Sequence, residues 1–365
     1  YMSAYPCINI HLDTITQNTK NLVTTCQRHG ITPAGVTKLA CAYPEVGQAI
    51  LDGGIYLLAD SRIVNLIKLH HLDAEKMLLR IPAVSEADKV VRYADISLNS
   101  EITTLEALSD EAIKQDRIHQ VIIMHDLGDL REGAFYEEET LALSRKAMAL
   151  PGIALVGLGT NLACYGGVEP TTENQNQLIT IAKKIETEHQ IKLQYLSGAS
   201  SAGLQLMLNG DLPQGINQLR LGASVLMGIG LNDERVPNTS QDTFDLTAEI
   251  IEIKVKPSVP VNSTALDAFG NKPKFIDRGL RRRAICAIGK QDVDIDQIIP
   301  KDSNIIIIGG SSDHLILDID DSEIDYGIGS LVEFELSYGG VLQCMTSEYI
   351  TKRFISSTSV KELLC

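Results

Sequence analysis

The chain has 365 residues, enough for two domains or for one large barrel with a smaller appendage. Apolar residues make up 44% and charged residues 22%, which excludes a disordered, collagen-like or disulfide-stapled chain. With 32 Lys and Arg against 47 Asp and Glu, the net charge of −15 repels phosphate backbones and anionic lipid, so neither nucleic acid nor a membrane is an expected partner.

An acidic surface serves solubility first, and it also suits a cationic small molecule. The seven cysteines (Cys7, Cys26, Cys41, Cys164, Cys286, Cys344 and Cys365) are scattered, with no C-x-x-C pair and no His at zinc spacing. They read as reduced thiols in the cytoplasm, and no metal site is expected. The longest aliphatic runs, such as Ile305 to Ile308, are far too short to span a bilayer, and no export signal is visible. Asn262-Ser263-Thr264 fits a glycosylation acceptor but has no meaning without secretion.

Cys7 to His11 alternates like a strand that joins a later β domain. From about residue 34 to residue 223 short β-favouring runs alternate with longer helical patterns. The strand candidates are Ala34 to Thr37, Ile55 to Ala59, Met77 to Ile81, Ile96 to Leu98, Val121 to Met124, Ile153 to Gly157, Leu193 to Leu196 and Leu219 to Leu221. Eight such units fit an α/β fold of the (β/α)8 TIM-barrel type better than an open doubly wound sheet. After residue 235 the texture changes to Leu246 to Val255, Arg283 to Ile288, Ile305 to Ile308, His314 to Ile319 and Ser330 to Ser337. Turns are expected at Val236-Pro237-Asn238, Phe269-Gly270-Asn271 and Tyr338-Gly339-Gly340. The expected domains are therefore a barrel over residues 10–235 and an all-β domain over 236–365 with the N-terminal strand in 1–9.

Most barrel strands end in a polar or small residue: Lys38, Asp60, Arg80, Asn99, Asp126, Asn161, Ser200 with Ser201, and Gly222. In a barrel these gather at the C-terminal mouth, where the chemistry of such enzymes sits, and one pocket would collect them all. The bland alternative is that loops after strands are simply wet. Lys38 is placed to form a Schiff base with a carbonyl, although most lysines after strands are solvated. Gly198-Ala199-Ser200-Ser201 and Arg220-Leu221-Gly222-Ala223 let backbone N–H groups approach a phosphate, or else merely make tight turns. Lysine carbonyl chemistry beside a phosphate site points to pyridoxal 5'-phosphate. Arg131, on a loop with glycines on either side, can hold a carboxylate or phenolate bidentately, or pair with Asp129 or Glu132.

These residues carry a resemblance. The sequence resembles the alanine racemase family of pyridoxal-phosphate enzymes, and within it the ornithine branch. The matching stretches run from Lys38 nearly to the C-terminus: Ala59 to Arg62, Leu78 to Pro82, Tyr93 to Glu101, Ile122 to Gly133, Cys164 to Gly166, Asp267 to Pro273, Ser311 to Leu315 and Thr346 to Tyr349. So many matches in one order are highly specific.

The resemblance implies an isomerase that interconverts the L and D forms of a basic amino acid, with Lys38 bonded to the cofactor and carrying the proton on one face. It places Ser201, with Ser200, and the Gly222-Ala223 backbone at the cofactor phosphate, Arg220 at the pyridine nitrogen, and Arg131 near the phenolate and substrate carboxylate. It implies a homodimer in which each β domain completes the partner's site. Three positions depart from the alanine branch. Tyr43, which reaches the phosphate, stands five residues after Lys38 rather than four. Asn161 stands beside the cofactor ring in place of a histidine. Phe269 occupies the place of the second catalytic tyrosine and cannot shuttle a proton, so the second base is Asp313 or His314, with Cys164 and Tyr165 behind them. Asp313 is equally suited to binding an ornithine ammonium, and His314 to a hydrogen-bonded core position. The alternatives are a metal-assisted D-threonine aldolase or D-serine dehydratase type of the same fold, and a non-catalytic pyridoxal-phosphate carrier, whose relatives lack a β domain.

Overall fold

The computed structural model describes residues 5–267, 269–272 and 274–357, so the N-terminal four residues, Ala268, Pro273 and Cys365 lie outside the described residues. The chain forms two compact units, one running Leu12–Gln241 and the other joining the segment up to His11 with the chain from Asp242 onward.

In the second of these, β1 (Cys7–His11) comes first. The other unit is a closed parallel barrel of β2 (Thr32–Val36), β3 (Leu57–Asp60), β4 (Glu75–Leu78), β5 (Ile96–Asn99), β6 (His119–Met124), β7 (Ile153–Gly159), β8 (Tyr195–Ser200) and β9 (Gln218–Leu221). The ring closes where β9 pairs with β2, Arg220 opposite Ala34. All eight expected barrel strands form. Alternate residues of β2 to β6, such as Ala34 and Val36, Ile96 and Leu98, or Ile122 and Met124, pack with Tyr195 into one buried cluster, the side of each strand that faces the barrel axis. Gly157 is required in β7, because a Cβ there would stand 2.6 Å from the Tyr195 carbonyl oxygen.

The barrel unit extends past the expected boundary at 235 because residues 236–241 fold back onto the first barrel helix, Leu12–Arg28. Asn18 fastens them, donating to the Ser240 carbonyl at 2.9 Å and accepting from the Ser240 N–H at 2.8 Å.

The other unit contains β10 (Phe244–Pro257), β11 (Leu280–Cys286), β12 (Ile298–Pro300), β13 (Ile306–Gly310), β14 (Leu315–Asp318), β15 (Leu331–Leu336) and β16 (Thr351–Ile355). They make a mostly antiparallel sheet in the order β12-β15-β10-β11-β14-β13, with β1 paired to β10 and, in parallel, to β16. One expected turn is corrected: Tyr338-Gly339-Gly340 opens a helix, Tyr338–Thr346. The Ser337 hydroxyl caps it by accepting from the Gly340 N–H at 3.1 Å. Gly340 is small for packing, since a Cβ would lie 2.6 Å from the Gln297 carbonyl oxygen.

His119, at the start of β6, is buried, and its Nε2 lies 2.8 Å from the Ser97 hydroxyl. Burial holds this imidazole down, to about 4 from an ordinary 6.5. Between those values the unfolded chain carries a proton that the native chain lacks. Stability is therefore full above the unfolded value and falls as pH drops toward 4, by ~3 kcal/mol in all at ~1.4 kcal/mol per pH unit. His119→Gln should remove this share of the acid limb. Urea unfolding at about pH 7 and about pH 4.5 measures it, and an equal pH dependence in both proteins contradicts it.

Candidate active site

The chain leaves β2 through Thr37, whose hydroxyl donates to Asp60 Oδ2 at 2.8 Å. Lys38 then opens a 3-10 turn, Lys38–Ala40, with its side chain exposed. Cys41 and Ala42 follow in the left-handed region (φ 49° and 52°), and Tyr43 caps the helix Pro44–Asp52. These two residues give the Lys38-to-Tyr43 spacing its backbone form. The Lys68 ammonium stands 5.9 Å from the centre of the Tyr43 ring, and burial raises the phenol.

Not every strand-end polar group enters a common pocket, and that expectation is corrected. Asp60 Oδ1 accepts from the Arg62 N–H and the Asn65 amide, both at 3.0 Å; burial pushes this carboxyl up despite its donors. Asp126 accepts from the Gly128 and Leu130 N–H groups at 2.9 and 3.2 Å. Asn99 donates to the Ser97 carbonyl and hydroxyl, both at 2.9 Å. Asp60 and Asp126 shape the loops that follow them, Asn99 bonds back to Ser97 within β5 with its Oδ1 left without a partner among the described residues, and Arg80 is exposed two residues beyond β4.

Other strand ends do converge. Arg220, on β9, is buried and donates to the Thr160 carbonyl at 2.7 Å, to Asn161 Oδ1 at 3.2 Å and to the Ser197 hydroxyl. Burial lowers the guanidinium only to about 10, so it stays protonated at neutral pH. The Ser201 hydroxyl meets the Ser224 hydroxyl at 2.9 Å and accepts from the Gly222 and Ser224 N–H groups, both at 3.2 Å. Ser200, one residue earlier, accepts from the Ala202 N–H at 3.4 Å. Ala223 starts the short helix Ala223–Met227 beside them.

Arg131 sits after β6, with Nε and Nη2 both on Glu132. Of its two expected acidic neighbours, only Glu132 pairs with it. Asp129 is buried, and it accepts from the Cys164 and Tyr165 N–H groups at 3.2 and 2.9 Å and from the Gly166 and Val168 N–H groups, both at 3.1 Å. Burial opposes the Asp129 charge, but the four donors outweigh it and hold the carboxyl below its usual range. Asp129 thus pins the loop that carries Asn161, Cys164 and Tyr165. No motif marks the roles of Glu132, Asp129, Ser197 and Ser224 in the sequence, where Asp129 and Glu132 stand out only as acidic neighbours for Arg131.

Asp313 and His314 belong to the other unit. Asp313 Oδ1 accepts from the Ser311 and Ser312 hydroxyls at 3.2 and 3.1 Å and pairs with His314 Nδ1 at 2.9 Å. The His314 bond, then the serines, hold the Asp313 carboxyl below its usual range. Phe269 is exposed, with the Lys290 ammonium 4.7 Å from the centre of its ring.

The alanine racemase N-terminal domain model matches residues 10–229. The chain belongs to the alanine racemase family. Full-length relatives agree. This alanine racemase family member is 42% identical over 352 residues to ornithine racemase from Acetoanaerobium sticklandii, covering 96% of this chain and 100% of that one. It is 38% identical over 353 residues to lysine racemase from Thermotoga maritima, covering 95% and 98%. The fold matches alanine racemase from Clostridium difficile 630 with a TM-score of 0.77 at 18% identity, covering 97% of each chain. It also matches alanine racemase from Bartonella henselae with covalently bound pyridoxal phosphate, at a TM-score of 0.73 and 16% identity, covering 97% of this chain and 100% of that one.

Proposed function

We propose that this member of the alanine racemase family is a pyridoxal-phosphate-dependent racemase of basic amino acids, with ornithine as its substrate. The observation that carries the reading is end-to-end likeness to both an ornithine and a lysine racemase. The donor set fits the cofactor. One exposed lysine follows β2, a serine hydroxyl and two backbone N–H groups cluster after β8 and β9, and the buried Thr160 hydroxyl beside Arg220 has no partner among the described residues.

In this reading Lys38 would hold the cofactor aldehyde, Ser200, Ser201, Gly222, Ala223 and Tyr43 would hold its phosphate, Arg131 its phenolate, and Asn161 would lie beside its ring. Pyridoxal phosphate supplies an electron-withdrawing ring that acidifies the Cα–H of a bound amino acid. Arg220 keeps its proton and would offer the ring nitrogen a hydrogen bond rather than a proton, which would favour proton exchange over transamination.

Lys38 takes the Cα proton on one face, and a second group returns a proton on the other. His314 suits that second role. Its Nδ1 is held by Asp313, leaving Nε2 to carry the proton, while the many donors on Asp313 make it a weak base. These residues would act in trans in a homodimer. The exposed apolar residues Val261, Leu266, Phe269, Ile276 and Leu280 support such an interface. A cytoplasmic location belongs to the same reading.

The test incubates holoenzyme with each free basic amino acid in deuterium oxide and follows Cα deuterium and chirality. Deuterium entering L-ornithine together with appearance of the D form is the expected result, and no exchange with any basic amino acid defeats the proposal.

A further inference from the structure

We propose that Glu132 and Asn161 are positioning residues that join Arg131 and Arg220 into one charge-balanced unit across the barrel mouth. The inference rests on the racemase reading above, adds Glu132 to it and gives Asn161 a second duty.

Four side chains form a continuous line. Arg131 Nη2 donates to Glu132 Oε1 at 2.7 Å, and the same oxygen accepts from Asn161 Nδ2 at 2.5 Å. Asn161 Oδ1 then accepts from Arg220 Nη2 at 3.2 Å. A guanidinium only donates and a carboxylate only accepts, so each end of the line fixes the direction of the amide between them. Asn161 can serve both ends because it carries a donor and an acceptor. The thiol of Cys164 adds a weak contact to the same Asn161 oxygen at 3.6 Å.

The line spans three strand ends. Arg131 and Glu132 follow β6, Asn161 follows β7 and Arg220 lies on β9. Glu132 supplies one negative charge between two positive ones, and it acts on both. It favours the charge of Arg131 directly, and that of Arg220 against the opposing effect of Arg131. The bridge thus fixes two orientations at once, that of the guanidinium offered to a substrate carboxylate and that of the guanidinium offered to the ring nitrogen. Glu132 is bonded on both oxygens, so it is a holder and not a binder of the substrate ammonium.

The experiment compares wild-type holoenzyme with Glu132→Gln, Glu132→Asp, Asn161→Ala and the Glu132→Gln/Asn161→Ala double variant. Two readouts are taken: KM and kcat for L-ornithine, and the pH titration of the bound cofactor's absorbance. Glu132→Gln should raise KM roughly 10- to 100-fold, because Arg131 loses its charge-assisted bonds. It should also move the cofactor titration to lower pH, since a negative charge has been removed. Glu132→Asp should keep the titration near the wild-type midpoint, and Asn161→Ala, which changes no charge, should do the same while lowering kcat/KM. The double variant should be no worse than Glu132→Gln within about twofold, because both break one line.

Losses that multiply in the double variant, or a cofactor titration unmoved in Glu132→Gln, overturn the inference. The absorbance measurement needs no turnover. A wild-type protein that binds cofactor but racemises nothing therefore defeats the proposed function, while the titration still decides the bridge.

Discussion

Lys38→Ala is expected to lower racemisation of ornithine by about 10,000-fold and to leave borohydride with no lysine to reduce onto the cofactor. The size of the effect follows from two duties on one amine. Under the proposed function Lys38 both holds the aldehyde and carries the proton on one face, so the substitution would remove attachment and general-base catalysis together. Lys38 is exposed at the start of a 3-10 turn, where shortening the side chain leaves Leu39 and Ala40 buried as before, so folding should be unaffected. Two measurements check this: Cα deuterium exchange, and peptide mass analysis after borohydride treatment of wild-type holoenzyme. Exchange in the variant above about a hundredth of wild type, or label on a different lysine, would remove Lys38 from the mechanism.

The second large effect is expected at Arg220. Arg220→Glu should cut racemisation roughly 100- to 1,000-fold, the usual cost of losing one preorganised donor, and should raise the share of turnovers that end in keto acid. If Arg220 faces the ring nitrogen as proposed, a carboxyl in its place would offer that nitrogen a proton and so strengthen the electron sink that the arginine would weaken. It also leaves the Thr160 carbonyl, the Ser197 hydroxyl and Asn161 Oδ1 short of a donor. That costs about 1–3 kcal/mol for each buried group, so part of the activity loss is structural. Arg220→Lys separates the two effects. It keeps a cation but not the planar fork, and should lose activity without producing keto acid. The ratio of keto acid to D-ornithine decides between them. An unchanged ratio in Arg220→Glu would mean that the guanidinium does not control the fate of the substrate.

Both predictions concern residues that stood out in the sequence, but for different reasons. Lys38 follows a short apolar run, and a buried parallel strand shows itself as such a run because both of its faces are covered. The same property exposed Val121 to Met124 and Ile153 to Gly157 as strands. The elements that escaped are those that depend on a partner. Ile298–Pro300 is three residues long and ends in proline, and Thr351–Ile355 pairs with β1, more than three hundred residues away in sequence. Neither has enough local pattern to be legible. The helix at Tyr338 was hidden by its two glycines, which mark turns in isolation and here allow close packing on Gln297.

The candidate site divides along the same line. Sequence alone determined the eight-fold alternation, the β-rich C-terminal part, and the kinds of side chain that stand where barrel strands end, because these follow from local periodicity and composition. Tertiary structure decided which of those side chains keep their chemistry available. Asp126 is taken up by nearby donors, Asp60 by Arg62 and Asn65 close by and by Thr37 at the end of another strand, and Asp129 by N–H groups more than thirty residues away, whereas Arg131, Glu132, Asn161 and Arg220 meet across three strands. Whether a carboxylate is free or spent depends on the donors that folding brings to it, and those come from segments whose spacing in the chain carries no record of the meeting.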